Sequence, residues 1–351
     1  MDAQRRERYS RQILFSEIGE AGQERLCGSE VALVGCGALG SALANLLVRA
    51  GIGKLRIIDR DFVEPSNLQR QTLFEEADAN EALPKAVAAE RRLRAIRSDA
   101  NVEGIVSDLT PGNIDELLAG FPLLLDGTDN FETRLLVNDY AVSRSIPWIY
   151  AAVVASYGLT MTIRPGKTAC LACLMGSDHG DGDGFAGAAP QSAEATCDTV
   201  GVLGAAAGVI ASMQAASAMQ FLLGKSGVAD GRLLSYDVWT GRFQSVTPQR
   251  DADCRACARR EFSYLQGQAQ PHLTLCGRDS VQIHERRRRL DLGALGRQLA
   301  AGGSAVQHNE FLLRFLAPPY EVTVFSDGRA IIKGTRDLAV ARSLYARYVG
   351  S

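Results

Sequence analysis

The sequence has little histidine: His179, His272, His284 and His308 are the four in 351 residues, and they are scattered. That argues against a histidine-rich metal centre, and each is expected to serve packing or surface roles. Neither sign of charge dominates. Lys and Arg total 38 against 40 Asp and Glu, a net charge of −2, so nothing points to nucleic acid or a membrane surface as a partner. Met1 to Ser10 is polar and carries no apolar core, so a signal peptide is not expected and the cytoplasm is the expected location. Eight cysteines without an export signal argue against a disulfide framework and for metal or catalytic use. No internal repeat is present. One long uncharged run, Val200 to Gly224, is long enough to span a bilayer and contains Gly204 and Gly208 at GxxxG spacing. Ser212, Gln214, Ser217 and Gln220 interrupt it, alanine and glycine dominate, and no basic cluster flanks it. A helix buried in a core or a subunit interface is therefore favoured over a membrane span.

What is present organises the chain. The length suits one large domain and a small one. Val31–Gly35, Lys54–Asp59, Val102–Val106, Pro122–Leu125 and Trp148–Val153 read as strands. Ser41 to Ala50, Ala86 to Arg97 and Phe131 to Ser143 read as helices between them. This alternation predicts an α/β fold with a doubly wound, Rossmann-like parallel sheet. Leu159–Arg164 alternates as an exposed strand would, Gly176–Ala189 has the composition of a mobile loop, and Leu233–Val246 reads as a hairpin turning at Thr240-Gly241. From about Phe262 the texture changes. Glu321–Phe325, Ser326-Asp327-Gly328 and Ala330–Lys333 form a second hairpin, and Asp337 to Tyr348 a helix. The expected division is residues 1–262 and a small α+β domain, residues 263–351.

The glycines Gly35, Gly37 and Gly40 follow the first strand and open a helix, whose N–H groups suit a phosphate. Asp59, nineteen residues after Gly40, is placed to accept from a ribose hydroxyl. Alone, this pattern fits an NAD(P)-dependent oxidoreductase as well as an ATP enzyme. The next segments favour ATP. Asp61, Asn67, Arg70 and Lys85 follow, and Asp126-Gly127-Thr128-Asp129-Asn130 ends a strand. Arg and Lys neutralise phosphate oxygens, and an aspartate can hold Mg²⁺ bridging them. A nicotinamide enzyme does not need that set.

Two CxxC pairs, Cys170 with Cys173 and Cys254 with Cys257, supply four thiolates, which suit a closed structural Zn²⁺ site better than an iron–sulfur cluster. Cys197 precedes the apolar helix, where a helix dipole lowers a thiol pKa; a small buried residue is the equal alternative. Asp178 to Gly184 has the look of a calcium loop, but Gln191 stands near the place of the closing acid, so a loop crossing the active site is the reading kept.

The run Arg8-Tyr9-Ser10-Arg11-Gln12, then GCGALG, IIDRDFVEPSNLQRQ, Pro84-Lys85, DGTDN, the CxxC pairs and TCDTVGVLG resemble the bacterial E1-like family of ThiF, MoeB and HesA over about Arg8 to Arg260. The resemblance implies a homodimeric adenylation domain that binds ATP and Mg²⁺. It implies that Asp59 binds ribose, Asn67, Arg70 and Lys85 bind phosphates, and Asp129 holds magnesium. Asp61 and Asn130 are carried with them in the cofactor set. Arg11 resembles the family's arginine finger, which reaches the other subunit's site. Cys197 stands where the family places a cysteine linked to covalent handling of the substrate's activated C-terminus or its sulfur. The implied substrate is a ubiquitin-like sulfur-carrier protein ending in Gly-Gly, ThiS-like or MoaD-like. A cysteine desulfurase or another sulfur donor is the implied source of sulfur, since no rhodanese-like domain follows the second CxxC pair. Leu275–Ile283 and Phe325–Gly334 are similar to C-terminal extensions of some ThiF-like proteins, which favours a ThiS-like carrier and thiamin thiazole synthesis over molybdopterin synthesis. The C-terminal hairpin is expected to serve carrier docking by strand addition or dimer stability. A non-catalytic module on this fold and a tRNA-modifying dehydratase relative fit less well, because Arg11, Arg70, Lys85, Asp129 and both CxxC pairs are present.

Overall fold

The computed structural model describes residues 1–175, 200–225, 230–267, 274–275, 280–283 and 290–350. The chain forms two compact units, residues 1–269 and 270–351.

The first unit is built on an eight-stranded sheet in the order β3-β2-β1-β4-β5-β6-β7-β8. Its strands are β1 (Glu30–Val34), β2 (Lys54–Asp59), β3 (Asn101–Val106), β4 (Leu124–Asp126), β5 (Trp148–Val154), β6 (Tyr157–Ile163), β7 (Leu233–Asp237) and β8 (Arg242–Val246). β3 through β5 run parallel, and β6, β7 and β8 are added antiparallel. The central parallel strands are continuous apolar runs because helices cover both faces. After β1 the chain winds through β2 to β3, then crosses to β4 on the other side of β1. The β1/β4 boundary is thus a topological switch point, where open α/β sheets bind ligands beyond the strands' carboxyl ends.

Two glycine-bearing loops meet there. Gly35 has φ +87°, and a Cβ on it would lie 2.6 Å from the Gly127 carbonyl oxygen. A Cβ on Gly40 would lie 2.1 Å from the Gly35 oxygen. The loop after β1 and the loop after β4 therefore interlock backbone to backbone.

The helices of this unit are α1 (Ala3–Arg8), α2 (Ser10–Ile13), α3 (Gly19–Cys27), α4 (Ala38–Ala50), α5 (Glu76–Asn80), α6 (Lys85–Ile96), α7 (Ile114–Leu118), α8 (Phe131–Arg144), α9 (Leu171–Met175) and α10 (Gly204–Leu222). α10 is the uncharged run. By length and composition alone it would cross a bilayer. Here it packs on α4, β5 and β6 and buries Ala206, Ala207, Ile210, Ala211, Ala215 and Ala218. Gln214, fully buried, donates to the Asp126 and Ile149 carbonyls at 2.9 and 3.1 Å. The glutamine that interrupts the apolar pattern thus joins the ends of β4 and β5. The alternation in Leu159–Arg164 predicted an exposed strand. Instead, Gly158 to Ile163 are all buried, because α10 packs on β6 and its apolar residues join the main core.

The second unit is a six-stranded antiparallel sheet, ordered β11-β12-β13-β14-β10-β9. Its strands are β9 (Thr274–Leu275), β10 (Ser280–Ile283), β11 (Val306–His308), β12 (Leu312–Ala317), β13 (Tyr320–Phe325) and β14 (Ala330–Lys333). Helices α11 (Leu292–Ala301) and α12 (Leu338–Tyr348) supply Leu292, Leu299, Ala341 and Tyr345 to a core with Val281, Phe315, Val322 and Ile332. Asp337 caps α12 through its side chain. Tyr264 and Leu265 pack against the core of the first unit.

Candidate nucleotide crevice and four-cysteine site

The segment Asp126 to Asn130 contains two aspartates with opposite environments. Asp126 is buried, and its carboxylate accepts four hydrogen bonds. Thr128 donates from its backbone N and Oγ1 at 2.9 and 2.7 Å, Arg134 from Nε at 3.2 Å and Ala151 from its backbone N at 3.4 Å. Burial pushes the Asp126 carboxyl above its ordinary value, and Arg134 and Thr128 partly offset this. Asp129 is exposed and makes no hydrogen bond. Of the two, Asp129 alone has an exposed carboxylate with open valence. Asn130 caps α8 by accepting from the Thr133 N at 2.8 Å.

At the end of β2, Asp59 is also engaged. Its oxygens accept from the Cys36 N at 2.6 Å and the Asp61 N at 2.7 Å, which ties the glycine loop to β2. Each oxygen keeps a further lone pair for a hydroxyl donor. Burial raises the Asp59 pKa, Asp61 adds to the rise, and Lys85 opposes it. Lys85 opens α6, is buried, and donates to Asp61 at 3.1 Å. Asn67 is buried in a short 3₁₀ turn (Pro65–Asn67), where its Oδ1 accepts from the Glu64 N. Arg70 is half-buried and donates to the Ser66 carbonyl at 2.8 Å. Gly37 is open: nothing lies closer to its virtual Cβ than the Gln71 Nε2 at 3.9 Å. Burial pushes the Cys36 thiol well up, which keeps it protonated and inert.

Arg11 is exposed on α2 and makes no hydrogen bond or ion pair. Its neighbours pin the segment: Tyr9 is buried, and Gln12 donates to Gln23 and to the Ala50 carbonyl at 2.6 and 2.9 Å.

Sequence reasoning missed four residues of this region. Arg60 pairs with Asp108 at 3.1 Å; burial acts to lower its pKa, but the carboxylates of Asp108, Asp61, Asp129 and Asp59 outweigh that and raise it. Gln71 is buried beside Gly37 with its Oε1 unpartnered. Arg134 and Gln214 tie the crevice loops to the core. Their only signal was a polar residue at an otherwise core-facing helix position.

Cys170, Cys173, Cys254 and Cys257 converge, with all four sulfurs within 4.8 Å of one another. The closest pairs are 3.8 Å (Cys170–Cys173), 3.7 Å (Cys170–Cys254) and 3.3 Å (Cys173–Cys257). A tetrahedron with metal–sulfur bonds of about 2.3 Å requires sulfur separations of about 3.8 Å, so the donor set fits Zn²⁺. The electrostatics of the cluster agree. Hydrogen bonds from neighbouring thiols draw Cys173 down to about 4 and Cys257 to about 6, while the same neighbours push Cys170 up. Four thiolates this close cannot all ionise without a cation. Asn138, fully buried, supports the cluster by donating to the Cys170 sulfur at 3.9 Å and accepting from the Leu171 N. Arg255 donates to both oxygens of the buried Asp139 at 3.0 Å, holding the second CxxC turn on α8.

Cys197, the glycine-rich loop at 176–189 and the acidic loop at 178–184 lie outside the described residues.

A model of the ThiF family matches residues 9–256. The sulfur carrier protein ThiS adenylyltransferase of Bacillus subtilis (strain 168) is 43% identical over 98% of this chain and 99% of that protein. The sulfur carrier protein adenylyltransferase of Thermus thermophilus is 36% identical over 72% of this chain and 90% of that protein. The Bos taurus adenylyltransferase and sulfurtransferase MOCS3 is 35% identical over 72% of this chain, which covers 53% of that protein. Among solved structures, Escherichia coli MccB with ATP shares the fold at TM-score 0.60 and 23% identity, over 71% of this chain and 74% of that one. All but the two ends, Arg8 and Cys257, of the motifs that carried the resemblance lie in the matched region, and the chain belongs to the ThiF family.

Proposed function

We propose that this protein is an ATP-dependent adenylyltransferase that activates the C-terminal glycine carboxylate of a ubiquitin-like, ThiS-like sulfur carrier. The observation that carries this reading is the 43% identity to the Bacillus subtilis ThiS adenylyltransferase over 98% of the chain, second unit included. The Thermus relative and MOCS3 match over 72%. A MoaD-like carrier, or several carriers, is the second reading, which MOCS3 and the SAMP-activating enzyme E1 of Haloferax volcanii favour, at 35% and 36% identity.

The chemistry asks for positioning and charge rather than a base. A carboxylate is already ionised at neutral pH. Its oxygen attacks the α-phosphorus of ATP, the bond between that phosphorus and the oxygen bridging to the β-phosphate breaks, and pyrophosphate leaves with the bonding pair. Asp59 accepts from the ribose. The N–H groups at the start of α4 face the phosphates, with Gly35, Gly37 and Gly40 allowing close approach. Asn67, Arg70 and Lys85 hold the phosphate oxygens, and Lys85 moves from Asp61 to do so. Asp129, beside Asn130, would hold Mg²⁺, which when bound would supply charge neutralisation to the phosphates. Arg11 completes the site of a partner subunit in a homodimer. The four cysteines would hold a structural Zn²⁺. Cys197 acts after adenylation, in transfer of sulfur from a cysteine desulfurase or another donor. The protein works in the cytoplasm.

The test is ATP–pyrophosphate exchange with purified carriers, one ThiS-like and one MoaD-like, each ending in Gly-Gly. Exchange that requires the ThiS-like carrier is the expected result. Exchange with the MoaD-like carrier alone overturns the carrier assignment, and exchange with neither overturns the activity.

A further inference from the structure

The buried Arg134 reaches three acceptors on two separate segments of chain. Its Nε donates to Asp126 at the end of β4 at 3.2 Å, and its Nη2 donates to the Thr128 carbonyl at 2.6 Å and to the Ala151 carbonyl on β5 at 3.2 Å. The rings of Phe131 and Tyr150 flank the guanidinium, with centroids 5.4 and 5.5 Å away. An arginine that served only to neutralise Asp126 would need one of these bonds. The bond to Thr128 does something else. Its acceptor belongs to the peptide unit whose nitrogen is Asp129's, so it fixes the plane from which Asp129 departs. On the other side, Asn130 is fixed as the cap of α8. Asp129 is therefore the single exposed, unbonded residue between two immobilised neighbours. Behind the knot, Gln214 holds the Asp126 carbonyl, so the clamp is anchored in the core helix.

We infer that Arg134 is a positioning residue: its guanidinium clamps the loop after β4 so that the free carboxylate of Asp129 is presented, pre-aimed, to a divalent cation carried by the nucleotide. This rests on the adenylation reading for the identity of the nucleotide, and on the geometry alone for the clamp. A lysine cannot substitute, because one ammonium on a flexible stem does not reach three acceptors in fixed directions. Supporting residues behind a metal ligand typically change metal affinity by about 10- to 100-fold when altered.

The experiment is calorimetric titration of ATP into wild type, Arg134→Lys and Asp126→Asn, with Mg²⁺ and with EDTA. Amide hydrogen exchange across residues 127–130 is followed in parallel. The expected result is a loss of about 10-fold or more in affinity for ATP with Mg²⁺ in both variants, little change in EDTA, and faster exchange of the hydrogen-bonded Gly127 and Thr128 amides. Equal losses with and without Mg²⁺, or no loss beside a lowered melting temperature, overturn the inference. If both variants fail to fold, the wild type still decides. Slow exchange of the Gly127 and Thr128 amides, which donate to Val34 and Asp126, together with ATP binding that is tighter with Mg²⁺, supports the clamp; fast exchange there or Mg²⁺-independent binding overturns it. A wild type that binds ATP with Mg²⁺ but shows no carrier-dependent pyrophosphate exchange counts against the adenylation reading alone.

Discussion

The nucleotide crevice and the four-cysteine cluster stand on the same unit and handle charge in opposite ways. In the crevice, the buried carboxylate of Asp126 is fully bonded, and the carboxylate with open valence, Asp129, is exposed. In the cluster, the four sulfurs lie within 4.8 Å of one another, and Cys170 and Cys254 are buried. A catalytic site keeps its reactive groups unsatisfied and spends its bonds on holding them still. A structural site satisfies its ligands with each other and one ion. That difference can be tested.

The largest effect is expected from Asp129→Ala. Pyrophosphate exchange should fall by at least about 100-fold, the scale of losing one preorganised electrostatic group. The melting temperature should be unchanged, because the side chain makes no hydrogen bond. Asp126→Ala, three residues away, should act first on the fold, besides loosening the loop that carries Asp129. It strands the Arg134 charge in the core and should cost about 3–5 kcal/mol of stability in denaturant melts. If Asp129→Ala were the destabilising variant and Asp126→Ala the stable one, the contrast drawn here would be inverted.

At the cluster, metal analysis should find one zinc per chain, and Cys254→Ser should lose it and lower the melting temperature. Acid should do the same. Thiols with lowered pKa carry their charge at neutral pH and lose it as pH falls. Bound metal should therefore decline on acidification, as protons compete with the cation for sulfurs that already carry charge at neutral pH. Metal binding that does not weaken as pH falls would contradict the thiolate assignment. The smallest effect is expected from Cys197→Ser: exchange within about twofold of wild type, since adenylation needs no thiol, with a reduced thiocarboxylate yield seen by mass spectrometry. An unchanged yield would return that cysteine to a packing role.

The parallel half of the sheet was legible because buried central strands write themselves as apolar runs, and because the loops that bind phosphate require glycine. The crevice motifs were legible as residue types. What sequence left open was their state. Nothing in DGTDN distinguishes the knotted Asp126 from the free Asp129, because that depends on Arg134, a turn of helix away, and on Ala151 from another strand. Gln214 looked like an argument against a membrane span; its bonds to β4 and β5 appear only when three elements meet. β6 was misread as exposed because its partner in burial, α10, lies some forty residues further along the chain.

The interlocking glycines carry a lesson for engineering. Because any side chain on Gly35 would collide with the backbone at Gly127, and one on Gly40 with Gly35, the two loops behave as a mortise and tenon. Neither can be grafted, lengthened or exchanged for that of another nucleotide enzyme alone. A redesign of cofactor preference in this protein has to transplant the pair, and recombination between relatives should succeed only when its breakpoints keep residues 35–40 and 127 from the same parent.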